Sequence, residues 1–184
     1  VNKNFKFNNF KIQSIIDLDE LIIDEKKFKL KNYFSKFDKG IKLTKHNVII
    51  NYNQNKLDII GNGNILLEEN SDDVSYQILK NKDNLSFDIK LNIKNNYFKI
   101  DFLEYEKKEG LKSSILFKGN LKKNNQITLD LIELKEKKNR ILIEGLDLNE
   151  NFKILDIENF KINYLNNKKI LNKLKLIKDN SNFI

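Results

Sequence analysis

The chain has 184 residues, with 34 Lys plus Arg against 26 Asp plus Glu and a formal net charge of +8. It has no Cys, Met, Pro or Trp, which leaves the redox compartment open and removes cysteine from any metal site. No apolar run approaches the roughly 18–20 residues of a membrane helix, and no signal-peptide pattern is present.

Lys, Asn and Ile dominate, Ala is absent and Arg140 is the only arginine. Lys, Asn, Ile and Phe have AT-rich codons, so the plainest cause is an AT-biased genome. The positive charge is spread along nearly every segment and reads first as codon bias and solubility. A nucleic-acid or anionic-membrane partner is the rival reading. The sequence begins with Val1 rather than Met and is expected to be a segment of a larger protein.

Phe5, Phe7, Phe10 and Ile12 open the chain as short extended pieces with a break at Asn8-Asn9. Ser14 to Ile23 is either a helix with an S-x-x-D capping box at Ser14 and Asp17 or two extended pieces. Phe28 and Leu30 lie in a short alternating run. The spacing of Tyr33, Phe34 and Phe37 suits one helical turn ending at Gly40. Residues 1–40 therefore form a less regular lead-in.

From Ile41 to Tyr164 the chain reads as an antiparallel up-and-down meander. Its clearest part is Leu85 to Phe102. Leu85, Phe87, Ile89, Leu91 and Ile93 alternate with Ser86, Asp88, Lys90 and Asn92, the period of a strand with one wet and one dry face. Asn95-Asn96 is expected to make a tight turn, with Phe98, Ile100 and Phe102 returning as the second strand of a hairpin. Ile115 and Phe117, then Ile127, Leu129 and Leu131, continue the alternation around a turn at Lys123-Asn124-Asn125. Parity shifts at Ile132, which predicts a bulge, and Gly145 interrupts it again. Phe160, Ile162 and Tyr164 form the last clear strand. The tail, 165–184, fits a helix or a strand. Ten to twelve strands with short Asn-rich turns define an all-β chain with at most one or two short helices. So many strands must curl, split or close, leaving a barrel, a sandwich or a long curved slab.

Candidate chemistry is sparse. Gly61-x-Gly63 lacks the third glycine and the helix of a dinucleotide fingerprint and reads as room for a bulge or tight strand crossing. His46, the only histidine, reads as a loop or strand-edge residue. Asp17-x-Asp19 has the D-x-D spacing that can hold a divalent metal against a sugar nucleotide but lacks the α/β nucleotide-binding context this needs. Glu68-Glu69 and Asp72-Asp73 read as solvated acids, and Ser113-Ser114 lacks a nucleophile elbow. No enzyme, catalytic residue, metal or cofactor is expected. Phe5-Lys6-Phe7, Tyr97-Phe98-Lys99 and Phe117-Lys118 interleave aromatics with charge as stacking platforms do, but strand geometry puts the ring and the lysine on opposite faces.

From Leu57 to Tyr164 the order LDIIGNGNILL, VSYQILKNKDNLSFDIKLNI, FKIDFLEYEKKEGLKSSILFKGNL, ITLDLIELKEKKNRILIEGLDL and ILDIENFKINY resembles the AsmA-like proteins of Gram-negative envelopes, which include the TamB and YhdP relatives. The match is to a rhythm of strands punctuated by Gly61, Gly63, Gly119 and Gly145. The resemblance implies a bridge-like lipid-transfer segment of an inner-membrane-anchored periplasmic protein. Antiparallel strands there curl into a long groove, apolar inside, along which phospholipid acyl chains slide. The expected lining is Leu85, Phe87, Ile89, Leu91, Ile93, Phe98, Ile100, Phe102, Ile115, Phe117, Ile127, Leu129, Leu131, Phe160 and Ile162. Phospholipid or another acyl-chain lipid is the expected partner, with membrane contact through other parts of the parent and no nucleic acid. The competing reading makes the same residues the sealed core of a binding or adhesion module.

Overall fold

Alternation along the chain becomes an antiparallel sheet in the computed structural model, which describes residues 10–24, 29–37, 40–122, 126–179 and 182–183. The strands are β1 (Lys11–Ile23), β2 (Ile41–Asn53), β3 (Lys56–Leu66), β4 (Ser71–Asn81), β5 (Asn84–Ile93), β6 (Phe98–Ile100), β7 (Tyr105–Lys107), β8 (Ser113–Leu121), β9 (Ile127–Glu136), β10 (Asn139–Leu148), β11 (Ile154–Leu165), β12 (Leu171–Asp179) and β13 (Asn182–Phe183). The sheet order is β1-β2-β3-β4-β5-β8-β9-β10-β11-β12-β13, with β6 and β7 as a separate pair. The main sheet is not closed. The expected strands at Phe5 and Phe7, the residue Phe28 and the turn at Lys123-Asn124-Asn125 lie outside the described residues.

The ambiguous segments resolve into strands. Ser14 to Ile23 belongs to β1, and the tail supplies β12. The single turn before Gly40 is a 3₁₀ turn over Leu30–Asn32, one step earlier than the aromatic spacing predicted. The two-residue hairpin loops place positive φ on Gln54, Lys82 and Lys137, at 51°, 42° and 53°, and not on the neighbouring asparagines.

The expected hairpin after β5 is overturned. Phe98 to Phe102 does not return along β5. β8 pairs with β5 over its whole length, from Leu85↔Leu121 to Ile93↔Ser113, whereas β6 pairs only with β7. Phe102 sits in a second 3₁₀ turn, Asp101–Leu103, and is 81% exposed. The cause is a carboxylate. Asp72 accepts the N–H groups of Lys94, Asn95 and Asn96 at 2.7, 2.8 and 3.2 Å. That grip turns the chain off the sheet, and a three-residue strand could not have satisfied the long edge of β5 in any case.

Register assigns one face to each side chain. The face of Phe87 carries Ile78, Ile59 and Ile50 along paired positions, and on the other side Phe117, Ile132, Ile143 and Phe160. The bulge predicted near Ile132 is present as a register shift against Lys118 and Gly119. It moves Leu131 opposite Lys118, onto the far face, while Ile127 and Leu129 remain on the apolar one. Leu131 is therefore not part of the lining.

Two glycines hold this face together. A Cβ on Gly63 would meet His46, and one on Gly61 would meet the Tyr76 ring, each at under 3.0 Å. His46 is 1% exposed, donates through its Nε2–H to Asn64 O at 2.9 Å and stacks on Tyr76. It lies inside β2, not at an edge or in a loop. Gly63→Ala should cost about 1–3 kcal/mol by overpacking. Urea unfolding of Gly63→Ala, His46→Ala and the double variant should show non-additive losses, since the smaller side chain at 46 admits the new methyl.

Candidate functional site

The apolar face has a covered end and an open end. At the covered end lie Leu43, Ile65, Val74, Ile93, Ile115, Leu134, Ile141 and Ile162, all buried in one cluster with Phe34, Phe37, Phe98, Tyr105 and Tyr164. The cover is a cap built from two excursions: the 3₁₀ segment with Phe34 and Phe37, and the β6–β7 pair. Lys99 N–H donates to Tyr33 O at 3.0 Å and joins the two. On one side Lys36 N–H donates to Glu68, just past β3, at 2.6 Å. On the other, Tyr164 of β11 donates to Leu103 O at 2.6 Å.

The cap shows that the sheet is curled. Phe34, Phe98, Tyr105 and Tyr164 form a ring chain with successive centroids 5.2, 6.4 and 5.7 Å apart. In a flat sheet the six strand spacings from β3 to β11 would span about 29 Å, well beyond the reach of four rings. The apolar face is the inside of the curl.

Buried polar groups lock the cap. Lys107 is fully buried, and its ammonium donates to Lys94 O and Asn96 O at 2.7 and 2.6 Å. Burial pulls its pKa below the ordinary lysine value, opposed by the carboxylates of Asp72, Glu136 and Glu109. Asp72, read from sequence as a solvated acid, is 3% exposed and is the hub of this network. Tyr105 donates to Glu136 at 2.6 Å. Burial first, then that hydrogen bond and charge, pushes the Tyr105 phenol far above its usual range. Lys107, Tyr105, Asp72 and Glu136 are all buried, and their bonds to one another and to the chain after β5 lock the cap in place.

The open end carries the unfilled surface. Leu85, Phe87, Leu121, Ile127 and Leu129 are half-buried and lie outside the capped cluster. Leu146 and Leu148, paired with Leu129 and Ile127, are buried beside them. Of the expected lining, Ile93, Phe98, Ile115 and Ile162 belong to the capped core, and Ile89, Leu91, Ile100, Phe117 and Phe160 pack against it. Phe98 and Ile100 belong to the cap itself, and Phe102 points to solvent. Sequence reasoning missed Leu146 and Leu148 because Gly145, at φ 62°, hides the parity of the residues after it. Lys80 pairs with both Leu57 and Leu85 and so shares the apolar face at the open rim.

The opposite face is polar. A concavity of about 660 Å³ there is lined by Asp130, Glu144, Asp156, Glu158, Asn159, Ile177 and Lys178. Hydrogen bonds from Lys178 hold Asp156 below its ordinary pKa, with the Ile157 N–H adding to them. Among the described residues no group of three or more His, Asp or Glu could hold a metal ion, and no helix is long and apolar enough to cross a membrane. No protein-family model, curated protein or solved structure matches the chain.

The cap lock has a pH signature. A raised tyrosine pKa stabilises the fold below the free value near 10 and loses that contribution as pH rises above it. Lys107 has the opposite sign, and its effect ends by about pH 10.4, the free lysine value. Above that, stability should fall by up to about 1.4 kcal/mol per pH unit for each such tyrosine. Tyr105→Phe should lose about 1–3 kcal/mol at pH 7 by leaving Glu136 without its donor, and its alkaline slope should be shallower. The remaining slope belongs to Tyr76, Tyr97 and Tyr164, whose pKa values are also raised. Urea midpoints between pH 7 and 11 measure both effects.

Proposed function

We propose that the open end of the curled apolar face holds lipid acyl chains, and that this chain is a lipid-conducting segment of an AsmA-like envelope protein. In that role it would stand in the periplasm of a parent anchored in the inner membrane. The observation that carries the reading is a ten-strand face that, among the described residues, is sealed by protein at one end only. An open apolar surface of this width is costly in water, and a chain of methylenes would recover about 0.8 kcal/mol for each one buried. Lys80 at the open rim, with Lys56 at the start of β3 and Lys82 and Lys122 beyond the ends of β4 and β8, would leave cationic groups beside an anionic head group.

The sealed-module reading draws on the capped end, where Ile93 and Tyr105 are almost wholly buried. The nucleic-acid reading draws less support. Phe117 and Lys118 fall on opposite faces, with Lys118 paired to Asp88 at 2.6 Å, and Phe98 is buried in the cap.

Lipid mass spectrometry of the chain purified from a membrane-containing host tests the proposal, with co-purifying phospholipid expected. A folded, lipid-free protein that also fails to take up acyl-chain probes would sink it. Phe87→Asp and Ile93→Asp separate the two ends. The first should leave circular dichroism and melting nearly unchanged and lower bound lipid several-fold. The second buries an unpaired charge and should unfold the chain. Unfolding by both would favour a sealed core throughout.

A further inference from the structure

Both edges of the sheet are long and apolar, and they differ in charge. Among the described residues no strand covers the outer edge of β1, thirteen residues of extended backbone. Ile15 and Ile22 on its polar side are 65% and 61% exposed, and Ile16 and Leu21 on its apolar side are also exposed. β13 takes only Lys178 and Asp179 of β12, which leaves the outer edge of 171–177 open. A long, flat, hydrophobic edge is a template for another strand.

We propose that β12 of one copy of this chain pairs with β1 of the next, so that copies join head to tail into one continuous curled sheet. Three observations select this occupant. First, the main sheet without β13 has ten strands, all antiparallel to their neighbours. β12 therefore runs opposite to β1, and the next copy can enter in the same orientation with antiparallel pairing. Second, β1 carries Asp17, Asp19 and Glu20 against the single Lys11, whereas β12 carries Lys173, Lys175 and Lys178 against Asp179. Asp19, Lys173 and Lys175 make no side-chain hydrogen bond or ion pair among the described residues. Third, one register satisfies both faces. Lys175 opposite Asp17 and Ile177 opposite Ile15 meet on the polar side, and Leu176 opposite Ile16 and Leu174 opposite Leu18 meet on the apolar side. A symmetric β1–β1 or β12–β12 contact would set like charges against each other, which sheets disfavour. Head-to-tail pairing is heterologous, so it yields rings or open filaments and not a dimer alone.

Sedimentation velocity of the purified chain over a hundredfold concentration range tests this, and it reads assembly whether or not lipid is bound. The expected result is species larger than a dimer that dissociate as salt rises. Asp17→Lys and Lys175→Asp should each sediment at least tenfold more weakly associated, with unchanged circular dichroism. An equimolar mixture of the two should recover assembly, because each copy then meets an opposite charge on both edges. Since the chain has no cysteine, Asp17→Cys mixed with Lys175→Cys should form an oxidised cross-linked pair in high yield, fixing the register. A chain that stays monomeric at every concentration, or a mixture that associates no better than either variant alone, overturns the proposal.

Discussion

A single carboxylate decides the shape of this molecule. Asp72 stands at the start of β4, 3% exposed, and collects three successive N–H groups from the chain leaving β5 together with the Asn96 side-chain amide. Charge-assisted bonds of this kind are roughly twice as strong as neutral ones. Without them the chain after Ile93 would have every reason to fold back as the next strand of the meander. With them it leaves the sheet, builds the β6–β7 pair, and re-enters at Ser113, whose hydroxyl donates to Ile93 O. The cap, the ring chain and the sealed end all follow from that departure.

The sealed end has a further consequence for what the face can do. The cap bridges β3 and β11 across the curl, so it fixes the width of the trough as well as closing it. Lys107 closes the structure from the inside, where its ammonium bonds two carbonyls of the very segment that Asp72 grips. Two opposite charges thus hold one loop from both sides. Replacing either alone would leave the other buried and uncompensated, the costliest way to disturb such a pair. The open end has no comparable polar lock among the described residues. Stability is concentrated where the face is covered, and the uncovered end is left as apolar floor.

Much of this was legible in the sequence and some could not have been. Alternation in Leu85–Ile93 gave the strand and its dry face, because period two is a local property. Pairing is not local. Phe98, Ile100 and Phe102 alternate as well as any returning strand, and nothing in their own spacing reports that Asp72, some twenty-five residues upstream, diverts them. Leu131 shows the same limit at finer scale. The parity break at Ile132 was visible, but which side of the break keeps the dry face depends on register with Lys118 and Gly119. His46 and Lys107 were ordinary letters in a Lys- and Asn-rich chain. Only the missing Cβ atoms at Gly61 and Gly63 hinted that a ring needed the space.

The composition that blurs most motifs makes one of them clearer. Lysine is the default polar residue throughout this chain, so another lysine on a strand carries little meaning. A strand that departs from the default carries more. β1 has three acids and one lysine in thirteen residues, although it is an exposed edge, where lysine is the usual guard against unwanted pairing. The guard is absent there, while β12 at the other edge carries three lysines in nine residues. Two edges that each kept lysines would repel every copy of the chain. Edges of opposite charge repel their own kind and attract each other, which is the pattern that lets a sheet grow in one direction only.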